Sequence, residues 1–430
     1  MSRFCWVIVF MLFISACSKA PVTNNNNITE SLPTINTLSV NYLTSTCASS
    51  GGEITDDGGS SITARGVVWS INPSPTTSLN TKTIDGNGSG RFNSNVNGLT
   101  ANTTYHLRAY ATNSTGTAYG NEISFTTSPY TVYVAGEEDN ASSYAMLWKN
   151  GQPNVLNEGT GNAVAYSVFV AGNDVYVSGS ESNPSSVTLA AQAKIWKNGI
   201  GTILNGNYAN SVFISGNDVY ASGSNFNGTI EAGTIWKNGV ASIVNNGVQN
   251  AYPQSVFVSG SDVYAAGYEM NITHYQAKLW KNGVASVLGN GTQTASAFSV
   301  FVYGTDVYVA GYESNGNYNI AKVWKNGIAS VLGDGTKNSY AKSVYVVGND
   351  VYVAGYESRI TNNVAMLWKN GTATALSGNN DAYGNAVFVF NNDVYVAGQD
   401  SARAMLWKNG TANLLSNGTN FGNAFSVFVK

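Results

Sequence analysis

Short runs of alternating apolar and polar residues fill the chain from residue 131 to residue 430. One stretch illustrates the pattern at residues 299–302, 306–311, 321–324 and 329–332. Alternation with a period of two residues predicts β-strands that have one buried face. Gly-Thr and Asn-Gly pairs between these runs predict tight turns, because Gly and Asn tolerate the positive φ angles that such turns require. The stretch therefore predicts four antiparallel strands, which we name A to D in chain order.

The same stretch is one copy of a repeat that contains the tetrapeptide Trp-Lys-Asn-Gly. Seven copies follow one another, and subtracting the positions of their tryptophans gives spacings of 39 to 48 residues. A period of about 40–50 residues with strand composition is typical of a β-propeller, in which each repeat forms one four-stranded sheet. The tryptophans lie mid-strand among aliphatic residues, so we expect them to fill the space between sheets rather than to bind sugars. They are Trp148, Trp196, Trp236, Trp280, Trp324, Trp368 and Trp407.

The two ends of this region align with different strands of the repeat. Residues 131–136 match strand B, whereas residues 426–429 at the end of the chain match strand A. One sheet is therefore expected to take strand A from the C-terminus and strands B, C and D from the first repeat. An open array of sheets would leave an unpaired sheet edge at each end, and pairing of the two termini removes both edges by closing a ring. We therefore predict a closed seven-bladed β-propeller over residues 131–430.

Six repeats carry an acidic residue at the start of strand B and a lysine at the end of strand C. Antiparallel pairing places these two positions side by side, which predicts cross-strand ion pairs of structural origin. The first repeat has Thr131 and Lys149 at these positions and lacks the acid. The predicted pairs are Asp174 with Lys197, Asp218 with Lys237, Asp262 with Lys281, Asp306 with Lys325, Asp350 with Lys369, and Asp393 with Lys408.

Residues 31–128 have short alternating strands and the length of a β-sandwich. The segment at residues 98–111 resembles the corner and following strand of fibronectin type III domains, and residues 66–69, 85–88 and 118–127 add to the likeness. The resemblance implies that Tyr105 is a corner tyrosine whose hydroxyl bonds to the backbone a few residues upstream. It also implies a spacer or adhesion role. Cys47 lies in an alternating stretch, which predicts a small buried strand residue rather than a reactive thiol.

The first sixteen residues have the charged start and short apolar run of a secretory signal peptide, with too few apolar residues to span a bilayer. Ile14-Ser15-Ala16-Cys17 resembles the lipobox of bacterial lipoproteins. The resemblance implies a lipid on Cys17, a membrane partner, and a place in the bacterial cell envelope, on the outer membrane. Residues 17–30 would then be a flexible polar tether. The alternative is ordinary cleavage near Ala16, which leaves Cys17 free.

Composition excludes several functional classes. Charged residues make up 10% of the 430 residues and the formal net charge is −3, which argues against nucleic acid as a partner because nucleic-acid binding requires a basic surface. The region after residue 130 contains one histidine, His274, and two arginines, Arg359 and Arg403. A histidine metal cluster, a Ser-His-Asp triad or an arginine cluster within the propeller is thereby excluded, and no cofactor is predicted. Paired carboxylates for glycoside hydrolysis stay open.

Strand direction assigns the connections to two faces. The A-to-B and C-to-D turns share a first face and are short, whereas the B-to-C and D-to-A loops share a second face and vary in length and content. Variable loops on a rigid frame commonly carry recognition. Just after strand B, every repeat has a polar residue, and three repeats have a tyrosine beside it. The candidate ligand-binding residues are Glu138, Glu181, Asn225, Glu269, Glu313, Glu357 and Asp400, with Tyr268, Tyr312 and Tyr356.

These acids and tyrosines fit hydroxyl-rich or cationic ligands, and the alternative is that they are solvated loop residues copied with the repeat. The sequence therefore favours a membrane-anchored lipoprotein that presents an all-β propeller as a non-catalytic binding module for a glycan or protein ligand. A structural spacer is the second interpretation. A glycan-active enzyme is the third.

Overall fold

The computed structural model describes residues 29–139, 142–157, 162–182, 191–416 and 420–430. In this part of the chain the structure consists of 35 β-strands and has no helix, which confirms the all-β prediction. Consequently no helix of the described residues is long and apolar enough to cross a membrane. The predicted signal peptide at residues 1–16, Cys17, and the tether up to residue 28 lie outside the described residues.

The first seven strands form two sheets. One has the order β1 (Thr34–Leu43), β2 (Cys47–Asp56), β4 (Gly90–Asn97). The other has the order β3 (Ala64–Ser70), β5 (Thr104–Thr112), β6 (Thr117–Tyr119), with β7 (Ile123–Thr126) also paired to β5. The described part of the chain divides into two compact units. The smaller includes Ser50–Ser94 and His106–Ser124, and the larger includes Phe125–Lys430.

Two predictions about single residues of this region are confirmed. The hydroxyl oxygen of Tyr105 accepts a hydrogen bond from the backbone N–H of Thr100 at 3.1 Å, five residues upstream, as expected of a corner tyrosine. The ring of Tyr105 also stacks on Phe125. Cys47 opens β2 and is a buried free thiol, and burial raises its pKa. A buried thiol with a raised pKa has little thiolate and is a poor nucleophile.

The remaining strands form seven four-stranded antiparallel sheets, which we number I to VII along the chain. Sheet I contains β8 (Val132–Asp139), β9 (Ser143–Lys149), β10 (Gln152–Val155) and the last strand, β35 (Gly422–Val429). Sheet II contains β11 (Ala163–Ala171), β12 (Asp174–Ser182), β13 (Ala191–Lys197) and β14 (Ile200–Ile203). Sheet III contains β15 (Tyr208–Ser215), β16 (Asp218–Phe226), β17 (Glu231–Lys237) and β18 (Val240–Ile243).

Sheets IV to VII repeat this plan. Sheet IV contains β19 (Ala251–Ser259), β20 (Asp262–Met270), β21 (Tyr275–Lys281) and β22 (Val284–Val287). Sheet V contains β23 (Ala295–Tyr303), β24 (Asp306–Ser314), β25 (Asn319–Lys325) and β26 (Ile328–Val331). Sheet VI contains β27 (Ser339–Val347), β28 (Asp350–Ser358), β29 (Asn363–Lys369) and β30 (Thr372–Ala375). Sheet VII contains β31 (Ala382–Phe390), β32 (Asp393–Asp400), β33 (Arg403–Lys408) and β34 (Thr411–Leu414).

In sheets II to VII the strands lie side by side in the order A, B, C, D, and in sheet I the strand at the A position is β35. β35 pairs with β8 in antiparallel register from Gly422 opposite Glu138 to Val429 opposite Val132. Beyond the strands, the N–H of Thr131 donates to the carbonyl oxygen of Lys430 at 2.7 Å. Sheet I is thus assembled from segments almost 300 residues apart in sequence, at its two ends 131 and 430.

The repeated tryptophans fill the space between neighbouring sheets, as predicted. Each of the seven has at most 1% of its surface exposed. Trp324 of sheet V packs in one cluster with Ala266, Ala277 and Val300. Trp148 of sheet I shares a cluster with Tyr395 and Leu406 of sheet VII, in the same way. Each tryptophan therefore lies between its own sheet and the preceding one, and the first sheet uses the last as its predecessor.

The A strands carry a second set of contacts between sheets. Seven aromatic rings, one from each A strand, touch one another with centroid separations of 4.6–5.1 Å, and the chain of contacts returns to its first member. We call this set the aromatic circuit. In order it contains Phe169, Phe213, Phe257, Phe301, Tyr345, Phe388 and Phe428, and the last ring contacts the first at 5.0 Å.

Hydrogen bonds join the same A strands. In sheet V the hydroxyl of Ser299 accepts the N–H of Val344 from sheet VI at 3.2 Å. Equivalent bonds join sheet I to II, II to III, III to IV, IV to V and VI to VII. Sheet VII has Ala386 at the serine position, so it lacks this hydroxyl. The A strands are thereby linked to one another by the aromatic contacts and by the serine hydrogen bonds.

Removing residues 426–430 should destabilise the larger unit by at least about 3 kcal/mol, because Val427 and Val429 are buried and each such side chain contributes about 1.5–3 kcal/mol. Unfolding in urea followed by tryptophan fluorescence measures the effect, since the seven repeated tryptophans are buried in this unit. A chain that lacks Lys430 alone is the control. Equal unfolding midpoints for all three chains would contradict a structural role for the β35–β8 pairing.

Candidate functional site: the second face of the seven-sheet unit

The first face carries one polar cluster, copied from sheet to sheet. In sheet V the Oδ2 atom of Asp306 lies 2.7 Å from Nζ of Lys325, and Asn326 donates from Nδ2 to Oδ1 of Asp306 at 2.8 Å. The φ angle of Asn326 is 52°, as the predicted Asn-Gly turn requires. The hydrogen bond from Lys325 is the largest cause that lowers the pKa of Asp306 below its ordinary value.

All six predicted ion pairs of this kind are present, with separations of 2.7–2.8 Å. Each lysine also lies over the ring of the tyrosine two residues after the aspartate, with its Nζ atom 5.1–5.5 Å from the ring centre. In sheet V this contact joins Lys325 and Tyr308. The repeated turn is therefore held by its own side chains. This face offers the same structural cluster six times and little that distinguishes one sheet from another.

On the second face, the predicted acidic position differs from the sequence-based expectation in two respects. The B strands are longer than predicted, so these residues lie inside the strands rather than in loops after them. They are also not all solvated, because Glu269, Glu313 and Glu357 are 4–8% exposed. The underlying reason is that the second-face end of strand B is covered by the D-to-A connection and by lysines of neighbouring strands.

The buried acids have cationic partners. Oε2 of Glu269 lies 3.1 Å from Nζ of Lys278, and Oε2 of Glu357 lies 3.0 Å from Nζ of Lys337. Glu313 forms an ion pair with Lys322, and its Oε1 atom accepts the N–H of Asn290 at 2.8 Å. These three carboxylates are neutralised within the protein. They therefore hold the second-face end of the sheets together.

The other members of the predicted set have different surroundings. Glu181 forms an ion pair with Lys194, and Asp400 accepts the hydroxyl of Ser401 at 2.8 Å. Asn225 is half-buried near the end of β16, opposite Ala232. Glu138 is half-buried in β8, in register with Gly422 and Tyr144. The position therefore does not form a uniform acidic ring around this face.

The three predicted tyrosines belong to a larger group. Tyr268 contacts Tyr252 and Tyr275 with centroid separations of 5.1 and 5.2 Å. A continuous series of ring contacts runs from Tyr312 through further tyrosines of sheets VI and VII, with separations of 4.7–5.0 Å. We call the whole group, which covers sheets IV to VII, the tyrosine arc. Its members are Tyr252, Tyr268, Tyr275, Tyr312, Tyr340, Tyr356 and Tyr383.

Four members of the arc have hydroxyls that form no hydrogen bond to a described residue, and two of them, Tyr268 and Tyr356, lie at the predicted position beside the acid. Asn319 and Asn363 donate to the hydroxyls of Tyr340 and Tyr383 at 2.9 and 2.8 Å. The hydroxyls of Tyr268 and Tyr356, in contrast, form no hydrogen bond to any residue that the structure describes.

Burial raises the pKa of both phenols, to about 12 for Tyr268, so each stays protonated and can donate as well as accept. The arc thus combines aromatic rings with four hydroxyls that bond to no described residue, including those of the half-buried Tyr268 and Tyr356.

Sequence reasoning missed a further set of residues, at a β-bulge in every A strand. The register with strand B shifts at this point, for example between Ala297 and Ser299, so the residue between them has no partner across the ladder. Strand A runs from the second face to the first, and the bulge comes before the aromatic circuit. We call the unpaired set the bulge ring. It contains Tyr166, Asn210, Gln254, Phe298, Lys342, Asn385 and Phe425.

Side chains of the bulge ring contact their neighbours around the ring and the tyrosine arc. Tyr166 and Phe425 contact each other at 5.9 Å, and Phe298 lies 5.9 Å from Tyr312. The hydroxyl of Tyr166 is 3.4 Å from that of Ser180. A sequence signal for the set does exist. The position just before the Ser-Val pair of strand A, which is Ala-Val in sheet VII, holds five different residue types in seven copies of an otherwise nearly constant strand. A bulge aims one extra side chain per strand toward the centre of the circuit.

Two ionisable groups near this centre have shifted pKa values. Burial, together with the nearby Asp139, raises the pKa of Glu137 in β8 to about 7. Burial lowers the pKa of Lys342 in β27 to about 8, and its Nζ atom lies 3.7 Å from the ring centre of Phe298. Glu137 occupies the repeat position of Tyr268 and Tyr356. The strands that carry Glu137 and Lys342 belong to sheets I and VI, and sheet VII lies between them.

Farther from the centre, the loops of sheets V to VII enclose a groove of about 850 Å³. Lys337 in this groove is paired with Glu357, whereas Arg359 forms no ion pair with any described residue. The variable loops therefore form a concave surface on this face. Residues that line it include Tyr318, Lys337, Arg359, Ile360, Asn362 and Asn379.

No protein-family model matches this chain, and no curated protein is similar to it. Among solved structures, it is similar to the β-propeller domain of the Trilobed protease from Pyrococcus furiosus, at 8% identity and a TM-score of 0.43 over 74% of this chain and 95% of that one. TolB from Acinetobacter baumannii gives 9% identity and a TM-score of 0.35, over 75% of this chain and 78% of that one. At such distances these likenesses carry no information about function.

Replacing Glu313 by Gln should lower the free energy of unfolding by about 2–4 kcal/mol, because Lys322 is left without its carboxylate in a mostly buried place. Urea unfolding followed by tryptophan fluorescence measures the change. The matched control is Asp306→Asn in the same strand, which removes the exposed ion pair of the first face and should have little effect. If both variants behave alike, the buried pair has no special structural role.

Proposed function

We propose that the chain is a lipid-anchored protein of the bacterial cell envelope, located on the outer membrane, that presents a non-catalytic binding module. Residues 131–430 would be a closed seven-bladed β-propeller and residues 31–128 a fibronectin type III-like β-sandwich. Residues 17–30 would tether both to the lipid on Cys17. The ligand binds on the second face of the propeller and is a glycan or a protein, with the glycan favoured by the chemistry of the tyrosine arc.

The contrast between the two faces is the observation that carries this proposal. Six copies of one ion-paired turn occupy the first face. The second face carries five residue types at its seven bulge positions, an aromatic arc restricted to sheets IV to VII, and a groove of about 850 Å³. A repeat that is uniform on one side and individual on the other supports a scaffold with one recognition surface.

The arc itself supports a hydroxyl-rich ligand. Tyrosine rings present apolar faces on which the C–H groups of a sugar can stack, and free hydroxyls bond to sugar hydroxyls. Tyr268 and Tyr356 supply two such hydroxyls two sheets apart. The neutralised acids Glu269, Glu313 and Glu357 support the frame of this surface rather than the ligand contacts first expected of them.

Two other functions compete with binding. A structural spacer would have no need of unsatisfied hydroxyls on a half-buried aromatic surface, and that feature favours the binder. A glycan-active enzyme would require two carboxylates facing one bond. On this face the carboxylates of sheets II and IV to VI are paired with lysines, which favours binding without turnover.

The binding proposal is tested by probing a glycan and surface-protein array with the full chain and two double variants. Tyr268→Phe with Tyr356→Phe removes the free hydroxyls of these two residues and retains the rings. It should weaken binding by roughly 10- to 30-fold, since each hydrogen bond contributes about 1 kcal/mol. The control, Tyr264→Phe with Tyr352→Phe, makes the same changes on the first face of the same two sheets. Wild-type protein that binds nothing on the array would support the spacer.

The anchor is tested separately. Replacing Cys17 by Ser should move the protein from the membrane fraction to the soluble fraction of the cell envelope and abolish labelling by a radioactive fatty acid. Each methylene group of an acyl chain that is buried in the membrane contributes about 0.8 kcal/mol to anchoring. A serine at position 17 lacks the thiol that would carry these chains, so the contribution is lost. Cys47→Ser is the control, because Cys47 is a buried thiol of β2. Unchanged labelling of the Cys17 variant would contradict the proposed anchor.

A further inference from the structure

The bulge ring contains a single charged residue, Lys342. Three of the other positions are aromatic and three are amides, so the ammonium group has no charged counterpart among them. Lys342 belongs to sheet VI, in the middle of the tyrosine arc, with Tyr340 on its own strand and Tyr356 on the neighbouring strand. The bulge that exposes this position to the centre of the circuit falls between Ala341 and Ser343.

Lys342 differs from the other lysines of the larger unit. Ten of them form ion pairs with an aspartate or glutamate. Lys149 and Lys430 form no ion pair with a described carboxylate and are exposed to solvent. Lys342 alone is both half-buried and unpaired with any described carboxylate. Its nearest aromatic contact is Phe298 of the adjacent sheet, at 3.7 Å.

This arrangement favours an anion. A shielded ammonium group without a counter-ion is costly, and burial alone lowers the pKa of Lys342 to about 8. The face of Phe298 compensates only part of the lost hydration. A negatively charged group beside Nζ would restore the lost interaction. An anion would also bind the ammonium group more strongly than a neutral acceptor, because a hydrogen bond between two charged groups is about twice as strong as a neutral one.

The surroundings narrow the anion to a carboxylate on a sugar. One lysine balances the single charge of a carboxylate, whereas a phosphate monoester carries nearly two charges and is commonly bound by several donors. Lys342 instead contacts Phe298 and lies next to the Tyr340–Tyr356 pair of its own sheet, in which Tyr356 has a free hydroxyl. These match the apolar face and the hydroxyls of a sugar ring. The ligand expected from the acidic position alone was cationic or neutral, and the ion pairing of those acids removes the reason for a cation.

We propose that the centre of the second face binds an acidic saccharide, whose carboxylate pairs with the ammonium group of Lys342 while its sugar rings contact the tyrosine arc. This inference rests on the proposed binding function, and it specifies the ligand class and the counter-ion. Glu137 of sheet I is separated from Lys342 by sheet VII, and the two side chains form no ion pair in the part of the chain that the structure describes.

The test uses a matched pair of probes, trigalacturonate and the same trisaccharide with its carboxyl groups reduced to alcohols. Calorimetric titration of the full chain should give an affinity for the acidic probe at least tenfold higher than for the reduced probe. Lys342→Met should remove this preference and leave the weaker binding of the reduced probe unchanged. Lys342→Arg should retain the preference, since it keeps the charge. Lys325→Met is the control, because it removes a lysine of the first face.

The outcomes separate this inference from the proposed function. Equal wild-type affinities for the two probes, with both weakened by the tyrosine double variant, would overturn the carboxylate site and leave glycan binding in place. Failure of the wild type to bind either probe would also overturn it, and the array then decides the proposed function independently. The comparison of the two probes on the wild type needs no variant, so poor folding of Lys342→Met would not obscure the result.

Discussion

The structure depends on packing between sheets that cannot be stable singly. Each four-stranded sheet buries its tryptophan against the sheet before it, and the strands at the D position are exposed edges of four residues. The tryptophan of sheet I is buried in this way only if another sheet packs against sheet I on the side where each of the other sheets meets the one before it. The pairing of β35 with β8 and the shared cluster of Trp148 with Leu406 meet this condition. The same pairing places β35 among the other A strands and therefore completes the aromatic circuit and the bulge ring.

This constraint decides where the repeat can vary. Positions between sheets are nearly fixed, because a buried tryptophan and the alanines around it leave no room for change. The Asn-Gly turns are fixed by backbone conformation and by their own Asp–Lys pairs. The bulge position is free of both demands, since it lacks a partner across the ladder and its side chain leaves the sheet. Sequence differences consequently collect at the bulge and in the second-face loops, which is where a ligand would meet the protein.

Much of the architecture followed from sequence because it depends on local or repeated patterns. The strand order, the role of the tryptophans and the Asp306–Lys325 type of pair all follow from period, alternation and antiparallel geometry. The burial of Glu313 did not, since its partner Lys322 comes from the opposite strand and its cover from the D-to-A connection. The bulge ring was missed because a bulge changes register without changing the hydrophobic pattern around it.

The balance of charge on the second face follows from these two omissions. In the sequence, the polar position at the end of strand B is acidic in most repeats, which indicates an acidic surface. In three dimensions the glutamates of sheets IV to VI are matched by Lys278, Lys322 and Lys337, so their field is largely cancelled at the surface. Lys342 is added by a bulge and has no such match. A face that is acidic in composition therefore carries a half-buried lysine without a carboxylate partner among the described residues, because the glutamates that could have paired with it are already paired with other lysines.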